Sequence, residues 1–209
     1  MTLKLRVATI EDASALTDIY LSAFSNDALS FLVFPRGPKT TEFWYSSIIS
    51  EISDPNSHFL CVIDTSLPNS PPIAYGKWNS PSTPLPDPSD LPVWPANQKI
   101  GDHFFRSLMQ NHIDIMGERK HWYLEILATK QEYQGKGAGS MILKWGLQKA
   151  DEDGVESFLE ASPAGLPIYE RYGWKERGRL VIDLEGKVEQ QSEFVEVFMV
   201  RDARKPVGT

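Results

Sequence analysis

Residues 134–139 read Gln-Gly-Lys-Gly-Ala-Gly, with glycines at 135, 137 and 139. Alternate glycines leave a backbone free to take positive φ and let a ligand come close. The run sits between an apolar strand-like segment and an amphipathic helical one. A helix N-terminus behind such a loop points free N–H groups at it, so the chemistry on offer is anion binding, with phosphate the usual anion. The spacing departs from the dinucleotide fingerprint G-x-G-x-x-G, because Ser140 stands where the third glycine belongs. It also lacks the Walker A pattern. A second chemical feature lies upstream: Glu125 is an acid inside the apolar run Trp122–Thr129. Partial burial would raise its pKa toward the range of a general base at neutral pH. His121 and Tyr123 are weaker candidates beside it. The bland alternative for Glu125 is a structural ion pair.

The elements that must position these groups follow from hydrophobic periodicity. Leu3, Leu5 and Val7 alternate as in a strand, and Thr9 and Asp12 make an approximate capping box before a helix striped by Leu16, Ile19 and Tyr20. Residues 26–38 read as irregular and aromatic, and a second helix is expected over 39–52. Strands are expected around Phe59–Ile63 and Ile73–Trp78, paired as a hairpin across turn-like residues 65–71. Residues 79–97 carry prolines at 81, 84, 86, 88, 92 and 95, which excludes an interior helix or strand. An insertion is expected there, with a lid over the acceptor mouth as one use. A helix then covers about 98–118. The second half gives a strand over 122–129, the glycine loop, a helix to about Asp153, a strand over 155–161, a short helix over 165–172, and strands near 174–183 and 193–201. Ser162 is expected to cap the short helix, and 202–209 to form a flexible tail.

Composition bounds the function. The 209 residues suit a single domain, and the formal charge of -7 argues against a general nucleic-acid partner. An anionic ligand must then be held by local amides and a few lysines, against the overall field. Cys61 is the only cysteine, so no intrachain disulfide can form. No apolar run is long enough for a membrane span, and the residues provide no metal-ligand set, so a cytoplasmic protein is expected, monomer or homodimer.

The segment Leu-Glu-Ile-Leu-Ala-Thr followed by Gly135, Gly137 and Gly139 resembles the central motif of the GNAT superfamily of acyl-CoA-dependent N-acetyltransferases. The signature Q/R-x-x-G-x-G/A is met at each fixed position of 134–139. The opening Leu5–Ala13 resembles that family's first strand and the start of its first helix. Ile168–Trp174 resembles its second CoA motif, with Trp174 in place of the usual phenylalanine.

The resemblance implies an α/β fold: a mixed, mostly antiparallel sheet of about seven strands flanked by helices, with a splayed central strand pair. It implies acetyl-CoA as cosubstrate. The pyrophosphate would be held by the amides of Gln134, Gly135, Lys136, Gly137, Ala138, Gly139 and Ser140, and the pantetheine arm by the backbone of Leu127, Ala128 and Thr129. Glu125 would be the base and Tyr169 the acid that protonates the leaving thiolate. The acceptor would lie among Phe31, Phe34, Trp44 and Tyr123, whose aromatic character suits a small apolar or aromatic amine. An O-acyl or other acyl-CoA transferase on the same fold, a CoA-binding regulator without transfer activity, and a nucleotide-binding module stay open as alternatives.

Overall fold

A computed structural model describes residues 1–188 and 192–204. Strands β1 (Leu3–Val7), β2 (Ser57–Asp64), β3 (Pro72–Asn79), β4 (His121–Thr129), β5 (Glu156–Ala161), β6 (Lys175–Asp183) and β7 (Glu193–Arg201) form one sheet in the order β1-β2-β3-β4-β5-β7-β6. Every pairing is antiparallel except the central β4–β5 pair, which is parallel. That pair runs only from His121↔Glu156 to Leu124↔Leu159. Beyond it the two strands part, which is the splayed centre expected from the sequence.

The helices are α1 (Ala13–Ala23), α2 (Ala28–Val33), α3 (Pro38–Glu51), α4 (Gln98–Met116), α5 (Ala138–Asp153) and α6 (Leu166–Arg171). The stripe Leu16, Ile19 and Tyr20 of α1 packs with Ile48 of α3 on Phe59, Cys61, Tyr75 and Ala128. On the opposite face Ile142, Leu143 and Leu147 of α5 pack on Leu60, Val62, Trp78 and Leu124. This contact is tight: a Cβ on Gly146 would lie 2.1 Å from Trp78 Cε2. Helix α4 covers Phe158, Phe198 and Val200 through Leu108 and Met116.

Helix α2 corrects the expectation of irregular structure at 26–38. Asp27 caps its N-terminus, accepting from the Ser30 N–H at 2.7 Å, a helix start signal hidden by the aromatic residues around it. The Thr9–Asp12 box closes a 3-10 turn ahead of α1: the Thr9 N–H donates to Asp12 Oδ2 at 2.8 Å, and Arg6 holds both Asp12 oxygens at 2.6 and 2.7 Å.

Residues 80–97 contain no strand or helix. They are fastened at the far end. Trp94 is buried, stacks on Phe105 at 4.3 Å, and donates through Nε1 to Asp102 Oδ1 at 2.9 Å. Of the expected tail, Asp202 pairs with Lys175 at 3.2 Å and the Arg204 N–H donates to Asp151 Oδ1 at 3.0 Å. Residues 205–209 lie outside the described residues. Among the described residues no helix is long and apolar enough to cross a membrane.

Candidate active site

Where β4 and β5 part, a cleft of about 1540 Å³ opens between the two halves of the sheet. It runs from the glycine loop, past the strand fork, to an inner chamber walled by α1, α2 and α4. Pro81 and Thr83–Pro86 line it as well, which places the insertion along its wall.

At the loop, Gly135 and Gly137 take φ of +71° and +90°. These two need glycine; Gly139 already lies inside α5. The amides of the first turn of α5, at Ala138, Gly139 and Ser140, have no carbonyl within the helix to bond. They carry the positive end of its dipole toward the cleft. The Gln134 amide is not available in the same way, because it donates to the Gln131 carbonyl at 3.2 Å. Lys136 donates to the Glu132 carbonyl at 2.7 Å, with its ammonium 5.1 Å from the Tyr133 ring centroid.

At the fork, β4 carries a bulge. Lys77 pairs with Ile126 and Trp78 with Leu124, so Glu125 is the extra residue. Tyr123 lies on the α4 side, as expected for the same face as Glu125. The bulge then shifts the alternation. Leu127 packs on the α5 face with Leu124, and Thr129 Oγ1 lies near Gly139 on that face too. Strict strand alternation would set Leu127 and Thr129 on the face of Glu125, and the bulge breaks it. The Ala128 side chain packs in the core on the α1 face.

Glu125 is held on two sides. Its Oε2 lies 2.6 Å from Lys77 Nζ and accepts from Asn79 Nδ2 at 2.7 Å. Lys77 also pairs with Glu51 at 2.7 Å. Burial works against the Lys77 ammonium, but the fields of Glu125 and Glu51 outweigh it and lift its pKa above that of a free lysine. So the ion pair that was the bland alternative for Glu125 is present, and it also fixes the carboxylate at the fork.

Tyr169 comes from α6 on the other side of the cleft. Its ring sits edge-on to Trp174 at 5.9 Å. A Cβ on Gly165 would lie 2.7 Å from Tyr169 Cε2, so Gly165 leaves the room the ring occupies. Burial pushes its hydroxyl pKa up, and the field of Glu196 adds to this. Ser162 does not cap α6 with its hydroxyl. Its carbonyl closes the turn instead, accepting from Gly165 and Leu166 N–H at 2.9 and 3.0 Å.

Phe34, Trp44 and Tyr123 line the cleft, but Phe31 is 61% exposed and stands outside it. His121 is committed elsewhere: its Nδ1 lies 2.7 Å from the Arg119 carbonyl and its Nε2 lies 2.7 Å from His112 Nε2. Burial lowers the pKa of both rings, that of His112 to about 3, so both are neutral at physiological pH. The cleft also holds charged residues that sequence reading passed over: Asp27, Glu51, Lys77, Glu160 and Glu196. Glu160 and Glu196 carried a signal like that of Glu125, an acid flanked by apolar strand residues. Burial raises the pKa of Glu160 to about 8, with the field of Glu125 adding to it and the Tyr123 hydroxyl beside it acting the other way.

Comparison with known proteins now has a geometry to meet. Residues 109–183, from the end of α4 through the fork, loop, α5 and α6 to β6, match the family model of the Acetyltransferase (GNAT) domain. That segment, about a third of the chain, is similar to a GNAT acetyltransferase domain. Solved structures agree over the whole fold. A structure described as histone acetyltransferase HPA2 and related acetyltransferase from Corynebacterium glutamicum is 20% identical and covers 100% of each chain, with a TM-score of 0.63. A mosquito arylalkylamine N-acetyltransferase like 5b is 14% identical over 96% of this chain and 100% of its own, with a TM-score of 0.66. The PaiA N-acetyltransferase of Thermoplasma acidophilum, solved in complex with coenzyme A, is 15% identical over 97% and 99%, with a TM-score of 0.54. At these identities the likeness is one of fold. What these likenesses share with the chain is the fold, a mixed sheet whose central parallel pair parts over a cleft.

Proposed function

We propose that this GNAT domain moves the acetyl group of acetyl-CoA directly to a small amine. One observation carries the reading: a single cleft joins an anion-binding helix N-terminus, an unpaired strand edge, a fixed carboxylate and a tyrosine. The first-turn amides of α5, with Gly135 and Gly137 clearing the approach, suit the pyrophosphate of CoA. The β4 edge at Leu127–Thr129, freed from β5, offers backbone groups to the pantetheine arm. Ala128 contributes only main chain, and Lys136 adds charge at the loop.

Transfer requires the ammonium to lose a proton, which costs about 4 kcal/mol at neutral pH for a group titrating near 10. Glu125, directly or through a water, takes that proton. The amine nitrogen then forms a bond to the thioester carbonyl carbon as the carbon–sulfur bond breaks. The sulfur leaves with the electron pair and receives the Tyr169 hydroxyl proton, and the proton shed by the newly acylated nitrogen restores the Tyr169 hydroxyl through water. Burial holds the Tyr169 hydroxyl in its protonated form at neutral pH, so a proton is present on it when the sulfur leaves.

The test is release of thiol from acetyl-CoA across a panel of amines, amino acids, aminoglycosides and arylamines. Release with at least one amine, reduced in Tyr169→Phe and Glu125→Gln, is expected. Acetyl-CoA binding with no release by any acceptor would favour a regulator, and unchanged release in both variants would overturn the two catalytic assignments.

A further inference from the structure

The inner chamber of the cleft has a charged wall of its own. Glu160 on β5 lies opposite Phe198 on β7, and Glu196 lies two residues along β7. Strand alternation therefore sets both carboxylates on the sheet face that carries Phe158 and Phe198, as diagonal neighbours. Asp27, the cap of α2, closes on them from the helical side, and its field reaches Glu196. All three line the cleft.

Glu196 marks the wall as a binding surface. It is only 7% exposed, it faces the cleft, and it makes no hydrogen bond or ion pair among the described residues. Burial without a partner penalises the charged form of Glu196, and the neighbouring acids Glu160 and Asp27 add to this, so the protonated forms are favoured until a cation sits among them. No cation among the described residues relieves them. Lys77 is shared between Glu51 and Glu125, and His112 is neutral. None of the ion pairs among the described residues involves Asp27, Glu160 or Glu196. The rest of the chamber is aromatic, with Tyr20, Phe34 and Phe104 in its wall, and aromatic faces attract cations.

We propose that Glu196, Glu160 and Asp27 form the subsite for a second ammonium group on the acceptor. The acceptor is then an aliphatic diamine or polyamine, with one nitrogen at the strand fork and another in the chamber. This rests on the amine-acceptor reading above and changes its chemistry: the expected apolar or aromatic amine would bring no cation to these three acids. An alkylammonium offers three donors and no acceptor, which suits a wall of three carboxylates. The methylene chain between the nitrogens packs against the aromatic rings.

The experiment compares α,ω-diaminoalkanes of three to six carbons with 1-aminoalkanes in which a methyl replaces the distal ammonium. Thiol release gives kcat and KM, and calorimetry gives binding of the same amines to the protein in the presence of CoA. At least one diamine is expected to exceed its monoamine partner by tenfold or more in kcat/KM and in affinity. Glu196→Gln should cut that ratio at least tenfold, through KM rather than kcat. Asp27→Asn, which keeps a capping side chain, should cut it as well and guards against a folding defect in the first variant. Equal preference for diamine and monoamine in the parent chain, or a ratio unchanged in both variants, overturns the subsite. Diamine binding that depends on Glu196 without any thiol release supports the subsite and overturns the transfer reading instead.

Discussion

At the residue scale, the site separates two carboxylates by environment. Glu125 is fixed by Lys77 and Asn79 at the fork, whereas Glu160 has the Tyr123 hydroxyl beside it and no cation among the described residues. The sign of the Glu160 effect on stability follows from its raised pKa. Between about 4.5 and about 8 the folded chain holds a proton that the unfolded chain has lost, so stability falls as pH rises through that window. Glu160→Gln should therefore raise Tm at pH 9, by the equivalent of about 2 kcal/mol once partial exposure to the cleft is allowed for, and change it little at pH 4.5. Thermal melts at the two pH values check this; an equal shift at both would remove the buried-proton account. Tyr169→Phe, by contrast, should lower kcat by about 10–100-fold while leaving acetyl-CoA affinity near its parent value, read by single-turnover kinetics and calorimetry. Glu125 and Tyr169 were legible because one is an acid in an apolar strand and the other sits in a recognisable motif. Glu160 and Glu196 carried the first signal too, but their meeting across β5 and β7 depends on strand order, which local sequence does not contain.

At the element scale, the bulge in β4 controls which side chains face the cleft. It lets Tyr123 and Glu125 face the chamber while Leu127 and Thr129 turn to α5 and the loop. Strict alternation hides it, although the apolar spacing Leu124–Leu127 of three residues is already wrong for a flat strand. Helix α2 was hidden for a different reason: six residues are too few for a clear helical period, and only its cap Asp27 announces it. Short glycine contacts position the other elements. Gly165→Ala should push the Tyr169 ring out of place, lowering kcat severalfold more than it lowers acetyl-CoA affinity, because the added Cβ falls 2.7 Å from the ring. Gly146→Ala acts on the fold instead. Its Cβ would meet Trp78 at 2.1 Å, at the packing of α5 on β3, and a loss of about 1–3 kcal/mol in denaturant unfolding is expected. A neutral result at Gly146 would mean that α5 can slide on the sheet.

At the scale of the molecule, four residue pairs join the β1–β4 half of the sheet to the β5–β7 half at its centre. Everything beyond the fork is cleft, so a ligand lying there touches both halves and replaces strand pairing the fold gives up. An acidic chain with formal charge -7 holds an anionic cofactor only where local dipoles win. Those dipoles come from α5, which also carries the packing between Trp78 and the sheet. On the function proposed above, cofactor binding and stability are coupled for this reason. At acetyl-CoA a hundredfold above Kd the folded state should gain about 2.7 kcal/mol, a rise in Tm of about 5–10 °C for a domain of this size. Gly137→Val tests whether the loop is the point of coupling. Its φ of +90° disfavours a β-branched residue, and the position is open to solvent, with nothing within 4 Å of an added Cβ. The apo Tm of this variant should fall modestly, and the acetyl-CoA-induced rise should shrink to a small fraction of the parent value. A full rise in the variant would place the anion elsewhere in the cleft and separate cofactor binding from the loop.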